Sequence, residues 1–253
     1  MSAEPTGHLS EAFVSWQGEG AFAGARHLFV RTAGCNIRCR YCDTPESLTR
    51  TESFTADFPD GRRLTLANPL SVDALADVVD DFLRSDPAIS MISITGGEPM
   101  LQSAFLEAWL TRRPPAAARM LETNALILAG LDRVLPLLDA VSADLKLPTP
   151  TADGIYWQAH ERFLRACAVA RERSGLRVYC KAPVDAATPF EELERGLELV
   201  ERVLPGAEVF IQPVTAVTDG SWQLTQARLL ELARCGGGRV RIRPQLHKLA
   251  RVR

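Results

Sequence analysis

The sequence of 253 residues lacks the features that define membrane, secreted and repeat proteins. It has no run approaching the roughly 18 apolar residues of a membrane-spanning helix. It also has no basic N-terminal region followed by an apolar stretch, and neither a repeat nor a low-complexity tract. We therefore expect a cytoplasmic protein with no membrane partner.

The sequence also lacks an excess of charge of either sign. Its formal net charge is -2 and its pI is near 6.1, which gives no general reason to bind nucleic acid. Basic residues crowd the last fifteen positions, 239–253, but no aromatic residues that could stack on bases are interleaved with them. We expect no nucleic-acid partner, and a solvated tail is one interpretation of this basic segment.

Apolar periodicity alternates between strand-like and helix-like along the chain. Strands are predicted at 27–32, 89–95, 119–123, 140–145, 176–182, 207–212 and 239–243. Helices are predicted at 71–84, 104–111, 157–173, 190–203 and 223–234, the first with Ser71 as its N-cap. This order predicts an α/β fold with a parallel sheet, open or curled into a full or partial barrel. We expect one domain, 1–253, with an inserted loop or hairpin at about 51–69.

Unusual residue clusters follow several of the predicted strands. In one-letter code they are GCNIRCRYC, TGGEP, ETN, DLK and QPVT. Ligands of parallel α/β sheets gather where the strands end, at their carboxyl edge. We therefore expect these clusters to form one site.

Three of the six cysteines lie within eight residues, as Cys35, Cys39 and Cys42. Gly34 permits the tight turn that such a loop, residues 34–44, needs. A 4Fe-4S cluster that only transfers electrons normally has four cysteine ligands, so three thiolates leave one iron open to another ligand. A structural zinc site is the alternative, although no second pair of Cys or His follows at comparable spacing. The three scattered cysteines are expected to be buried thiols.

The C-x3-C-x2-C loop, with Tyr41 before its last cysteine, resembles the signature of the radical S-adenosylmethionine superfamily. The resemblance implies a partial barrel of about six parallel strands. It also implies that the open iron of a 4Fe-4S cluster binds S-adenosylmethionine, and that reduction gives a 5′-deoxyadenosyl radical. TGGEP at 95–99 resembles the second motif of the superfamily, in which backbone groups and a carboxylate contact the methionine amino group. The S-adenosylmethionine contacts implied in this way are Gly96, Gly97, Glu98, Thr123, Asn124, Ser142, Asp144, Lys146 and Gln212.

Longer segments narrow the resemblance. FVSWQGEG at 13–20, FVR at 29–31, CDT at 42–44 and QLHK at 245–248 resemble the 7-carboxy-7-deazaguanine synthase family. This family converts 6-carboxy-5,6,7,8-tetrahydropterin to 7-carboxy-7-deazaguanine, with loss of ammonia, in deazapurine and queuosine biosynthesis. The resemblance also implies an external electron donor such as flavodoxin, a bound Mg²⁺ and a homodimer.

The same resemblance assigns substrate contacts. Arg31 supplies a planar fork suited to a carboxylate, and a surface ion pair is its alternative role. Thr44 resembles the magnesium ligand, whereas on sequence alone it is a helix N-cap followed by Pro45. A C-terminal tail, 239–253, is expected to contact substrate, and a frayed end is its alternative. The other implied substrate contacts are Trp16, Gln17, Gly18, Glu19, Thr95, His247 and, through its terminal carboxylate, Arg253.

Three residues depart from the family pattern. Trp16 stands where an aliphatic residue is usual, Ala125 where a glycine often follows, and Leu246 where threonine is common. They leave the shape of the pterin pocket open. Two other functions also remain open: an activase that makes a glycyl radical on a partner protein, and a non-catalytic zinc or iron-sulfur module.

Overall fold

The computed structural model describes residues 4–215, 224–234 and 240–252. The strands in these ranges are β1 (Leu9–Trp16), β2 (Arg26–Thr32), β3 (Ser53–Asp57), β4 (Arg63–Ala67), β5 (Met91–Gly96), β6 (Ala118–Thr123), β7 (Ala140–Asp144), β8 (Arg177–Val184), β9 (Val209–Pro213) and β10 (Val240–Ile242). The helices are α1 (Val72–Ser85), α2 (Ser103–Arg112), α3 (Leu131–Val134), α4 (Pro148–Thr151), α5 (Trp157–Ser174), α6 (Phe190–Val203), α7 (Gln226–Ala233) and α8 (Leu246–Ala250). Within the described ranges, no helix has the length and apolar character needed to cross a membrane.

The ten strands form one mixed sheet in the order β10-β9-β8-β7-β6-β5-β2-β1-β3-β4. Its seven strands from β10 to β2 are all parallel, which confirms the predicted α/β fold, whereas the pairs β1–β2 and β3–β4 are antiparallel and make the whole sheet mixed. All seven predicted strands are present, although Arg239, and Gln223 of the last predicted helix, lie outside the described residues. β1 was not predicted, because a register shift between Leu9 and Glu11 interrupts its alternation.

Side chains alternate between the two faces of the parallel strands. On one face, aliphatic residues pack with the helices in the main core, including Ile92, Leu121, Val141, Ala182 and Ile211. On the other face, a second apolar cluster forms near the amino ends of the strands from Met91, Met120, Ala140, Tyr179 and Phe210. Further along each of these strands, the same face carries a polar residue of the cleft. These residues are Thr95, Glu122, Asp144, Lys181 and Gln212. This inner face is therefore apolar at one end and polar at the carboxyl edge.

Residues 51–69 contain a β-hairpin that extends the sheet. β3 pairs with β1 in parallel, and β4 pairs with β3 antiparallel. Phe54 and Phe58 of this segment are buried, and the Phe58 ring stacks on Phe82 of α1 with centroids 4.1 Å apart. The hairpin therefore shares the core of α1 and anchors the first helix to the edge of the sheet.

α1 shows how local sequence sets the ends of a helix. Its predicted N-cap is confirmed, because the Ser71 hydroxyl accepts a hydrogen bond of 3.1 Å from the Ala74 amide. Its apolar face is buried against the sheet, through Val72, Leu75, Val79 and Phe82.

Replacing Ser71 by alanine removes this cap and leaves a helix-end amide without its acceptor. We expect Ser71→Ala to lower the free energy of unfolding by about 1 kcal/mol in urea denaturation. Ser71→Asp keeps an acceptor and is the matched control, expected to unfold like the parent protein. Equal destabilisation by both substitutions would contradict the assignment.

Candidate active site

The carboxyl edge of the parallel strands borders a cleft on the polar inner face. The cleft is lined by most of the residues predicted to form the site. These are Trp16, Gln17, Gly18, Glu19, Arg31, Cys35, Cys39, Cys42, Thr44, Thr95, Gly96, Gly97, Thr123, Asn124, Asp144, Lys146, Gln212 and His247. Of the remaining predicted residues, Glu98 and Ser142 do not line the cleft, and Arg253 lies outside the described residues.

The cluster loop, residues 34–44, follows β2 and is held by backbone contacts. The Gly34 amide donates to the Ser47 carbonyl at 2.9 Å, and the Gly34 carbonyl accepts from the Glu98 amide at 2.8 Å. Gly34 has a φ of +101°, a conformation that glycine adopts without strain. A side chain on Gly97 would overlap the Gly34 carbonyl, so this glycine is required for the two segments to approach each other.

The three clustered cysteines differ from the others in their surroundings. Cys35, Cys39 and Cys42 are partly exposed in the cleft, whereas Cys167 and Cys180 are buried in the main core; Cys235 lies outside the described residues. Burial raises the pKa of the Cys35 and Cys39 thiols, and the nearby Lys146 ammonium opposes that rise. Three free thiols on one wall of a cavity are a donor set that fits an iron-sulfur cluster.

Glu98 is turned away from the cleft. One carboxylate oxygen accepts hydrogen bonds from the Thr123 hydroxyl at 2.8 Å and the Met100 amide at 3.0 Å, and the other accepts from the Asn124 amide at 2.8 Å. Burial raises its pKa to about 6 despite these donors. The carboxylate therefore joins the ends of β5 and β6, and the structure leaves the backbone of Gly96 and Gly97, not this side chain, facing the cleft.

Ser142 is also fully buried. It lies on the same face of β7 as Asp144, two residues nearer the amino end of the strand, and does not line the cleft. Thr44 precedes the 3₁₀ turn Pro45–Leu48 as predicted for an N-cap, yet its hydroxyl makes no capping hydrogen bond. That hydroxyl is therefore available to a ligand of the cleft.

Arg31 forms the ion pair of its alternative role and also lines the cleft. Arg31 on β2 pairs in register with Thr95 on β5, and both residues line the cleft. Arg31 Nη1 donates to Glu11 Oε1 at 3.0 Å, and its guanidinium carbon lies 5.1 Å from the centroid of the Phe13 ring. The side chain keeps 20 % exposure, so the fork remains accessible from the cleft.

Glu19 is the most heavily contacted carboxylate in the cleft. It accepts hydrogen bonds from Lys181 Nζ at 2.6 Å, Gln212 Nε2 at 3.0 Å and Gln245 Nε2 at 2.8 Å. Burial alone would raise its pKa, but attraction to Lys181 and His247, with these hydrogen bonds, lowers the pKa of Glu19 to about 2. Glu19 is therefore an anion at every pH near neutrality.

The C-terminal segment is attached to the loop after β1. The Leu246 amide donates to the Gly18 carbonyl at 2.9 Å, and a side chain on Gly18 would overlap the His247 ring. His247 Nε2 lies 4.0 Å from Asp43 Oδ2, and Gln245 donates to both Glu19 and Asp43. The predicted proximity of α8 to the site thus depends on a glycine at position 18.

Five polar residues of the cleft were not predicted as site residues: Tyr41, Asp43, Glu122, Lys181 and Gln245. Glu122 accepts from Gln17 Nε2 at 2.9 Å, and Lys181 contacts Glu19. Both follow an apolar inner-face residue by two positions, at the end of a predicted strand. That alternation is the signal in the sequence that would have identified them.

Comparison with known proteins agrees with this geometry. A model of the Radical SAM superfamily matches residues 29–182. The chain is therefore a member of the radical S-adenosylmethionine superfamily, whose enzymes use an iron-sulfur cluster and S-adenosylmethionine. It is 35 % identical to a 7-carboxy-7-deazaguanine synthase of Geobacter sulfurreducens, over 97 % of this chain and 98 % of the relative. A Methanopyrus kandleri enzyme of the same name is 33 % identical over 96 % and 92 % of the two chains.

The chain accordingly belongs to the 7-carboxy-7-deazaguanine synthase family, and the predicted family is confirmed. Among solved structures, QueE from Escherichia coli has the same fold, with a TM-score of 0.60, 20 % identity and coverage of 95 % of this chain and 94 % of that one. The nearly full-length match to the synthases favours this family over an activase or a non-catalytic metal module.

Replacing Gly18 by alanine is expected to detach the C-terminal segment, because the new methyl group overlaps His247. Trypsin should then cut after Lys248 or Arg251 about tenfold faster than in the parent protein, measured by mass spectrometry of the digest.

Gly196→Ala in α6 is the matched control, because its nearest neighbouring atom would lie at 3.5 Å, an ordinary contact. Unchanged cleavage of Gly18→Ala would show that the close approach of His247 does not hold the segment.

Proposed function

We propose that the protein converts 6-carboxy-5,6,7,8-tetrahydropterin to 7-carboxy-7-deazaguanine, with loss of ammonia, in deazapurine and queuosine biosynthesis. The observation that carries the proposal is one cleft that combines three free thiols, an accessible guanidinium and a row of buried polar groups. Membership of the synthase family supplies the identity of the reaction.

Cys35, Cys39 and Cys42 would hold the 4Fe-4S cluster, since they are the thiols of the described chain that face the cleft. When bound, the cluster and S-adenosylmethionine supply a 5′-deoxyadenosyl radical that removes hydrogen from the substrate. The backbone of Gly96 and Gly97 would receive the methionine part, because no side chain blocks the approach there. The remaining proposed contacts follow the strand ends from β6 to β9: Thr123, Asn124, Asp144, Lys146 and Gln212.

The substrate would lie between β2 and the C-terminal segment. Arg31 is suited to its carboxylate, because a planar guanidinium pairs with a carboxylate through two hydrogen bonds. Thr95 lies beside Arg31, and Glu19 and His247 also line the cleft. Trp16, which is half exposed at the cleft, together with Gln17, Gly18 and the terminal carboxylate of Arg253, completes the proposed substrate contacts.

A magnesium ion is proposed at Thr44. The Thr44 hydroxyl makes no capping hydrogen bond, and the preceding residue, Asp43, also lines the cleft with its carboxylate. Oxygen donors of this kind suit a hard cation, which keeps water and substrate oxygens as its other ligands. An external one-electron donor such as flavodoxin and a homodimer, which both rest on the family resemblance, complete the proposal together with a cytoplasmic location.

The reaction itself is the first test. Anaerobically reconstituted protein, incubated with the carboxypterin, S-adenosylmethionine, dithionite and Mg²⁺, is expected to form 7-carboxy-7-deazaguanine, identified by its mass. Cys39→Ala should lose iron and product, whereas Cys167→Ala, a buried thiol of the main core, should keep both. Intact iron and visible absorbance without product would contradict the proposed function.

The proposed role of Thr44 as a magnesium ligand is tested by removing its hydroxyl oxygen. Thr44→Ala should raise the Mg²⁺ concentration needed for half-maximal rate about tenfold, because one direct ligand is lost. Thr44→Ser keeps the hydroxyl and should behave like the parent protein. Thr49→Ala, at the far end of the same 3₁₀ turn, controls for changes in the turn. Equal Mg²⁺ dependence of the alanine and serine variants would argue against Thr44.

A further inference from the structure

Lysine is rare in this chain, and its placement is selective. Only three of the 29 basic residues are lysine, at positions 146, 181 and 248, and the others are arginine. Lys146 and Lys181 line the cleft, and Lys248 Nζ lies 3.5 Å from Asp43, which also lines it. An ammonium is a compact charge with three donors, whereas a guanidinium is a planar fork. Two of the three lysines therefore line the cleft, and the third contacts an acidic residue that lines it.

Lys181 has the most confined position of the three. Its Nζ lies 2.6 Å from Glu19 Oε2, 3.2 Å from Asp144 Oδ1 and 3.4 Å from Glu122 Oε2, and its side chain is 5 % exposed. The three carboxylates come from the loop after β1 and from the ends of β6 and β7. A single ammonium can direct one N–H group towards each of them, which a planar fork cannot do from the same place.

The arrangement places two half-buried carboxylates, Glu19 and Glu122, beside the same ammonium on the cleft wall. Burial and repulsion from Glu19 raise the pKa of Glu122, while Lys181 and a hydrogen bond from Gln17 oppose the rise. Both Glu19 and Glu122 line the cleft, so their charges act on whatever ring enters it. The other titratable or charged groups that face this cluster are Asp43, Asp144, Lys146, Tyr179 and His247.

We propose that Lys181 is a positioning residue that keeps Glu19 and Glu122 ionised side by side, so that both accept hydrogen bonds from the substrate ring. Two adjacent anions favour a ring edge that presents N–H donors, and they repel one that presents carbonyl oxygens. The pair would therefore select a pteridine that has an amino group at the bound ring edge over the analogue that has a carbonyl oxygen there. The identity of the ring rests on the proposed function, whereas the effect of Lys181 on the two carboxylates does not.

The charge effect is tested without substrate, by infrared difference spectroscopy of the carboxyl C=O band between about pH 6.5 and about pH 8.5. In Lys181→Met, a carboxyl group with a raised pKa should be protonated at the lower pH and lose its proton as the pH rises. Relative to the parent protein this gives an added band, because Glu98 contributes equally to both. The band should be absent in Lys181→Arg and in the double variant Lys181→Met with Glu122→Gln.

Substrate binding gives the second measurement. The KM for the carboxypterin should rise about tenfold in Lys181→Met near pH 7, because hydrogen bonds to charged acceptors are lost. The increase should shrink towards higher pH as the carboxylates ionise again. Any effect of the larger side chain in Lys181→Arg should be independent of pH, and Cys180→Ala, on the opposite face of β8, controls for packing in that strand.

Two outcomes would overturn the proposal. One is an infrared titration of Lys181→Met that equals that of the parent protein. The other is a carboxypterin KM of Lys181→Arg that changes with pH in the same way as that of Lys181→Met. Should Lys181→Met fail to fold, the double variant is compared with Glu122→Gln alone, and an equal carboxypterin KM for these two would overturn it as well. If the parent protein forms no deazaguanine, the proposed function is contradicted. The infrared titration still tests whether Lys181 keeps the two carboxylates ionised.

Discussion

Gly97 packs directly against the carbonyl of Gly34, and this backbone contact joins the two segments that form one wall of the cleft. The cluster loop and the end of β5 approach each other because Gly97 carries no side chain, while Gly34 supplies a backbone φ of +101°. Glu98 then turns inward and binds the end of β6, which fixes Thr123 and Asn124 beside the same wall. These contacts of Gly97 and Glu98 therefore set the position of the three thiols relative to the residues proposed to bind S-adenosylmethionine.

A second constraint acts on the inner face of the sheet. Alternation directs the side chains of five parallel strands inward, with the apolar cluster near their amino ends and the polar residues in the cleft at their carboxyl ends. Buried charges in such a place must be paired with one another. Glu19, Glu122 and Asp144 surround Lys181, and Asp144 also pairs with Lys146 at 2.9 Å. The polar wall is therefore organised before any ligand enters.

Much of this architecture is predictable from the sequence because its signals are local. The strands, the Ser71 cap and the cysteine loop follow from periodicity, capping residues and spacing, and nearly all predicted site residues line one cleft. The prediction was less complete where distant segments meet. The inward turn of Glu98, the ion pairs of Lys181 and the packing of His247 on Gly18 depend on contacts between residues far apart in sequence. β1 was missed because a bulge disrupts its alternation.

We propose that Cys35, Cys39 and Cys42 hold a 4Fe-4S cluster in which one iron stays open to S-adenosylmethionine. The most direct measurement is electron-nuclear double resonance on the reduced cluster, with the amino nitrogen of S-adenosylmethionine isotopically labelled. We expect a hyperfine coupling between the cluster and that nitrogen, which disappears when the labelled compound is omitted. An intact reduced cluster that shows no such coupling at saturating S-adenosylmethionine would contradict it.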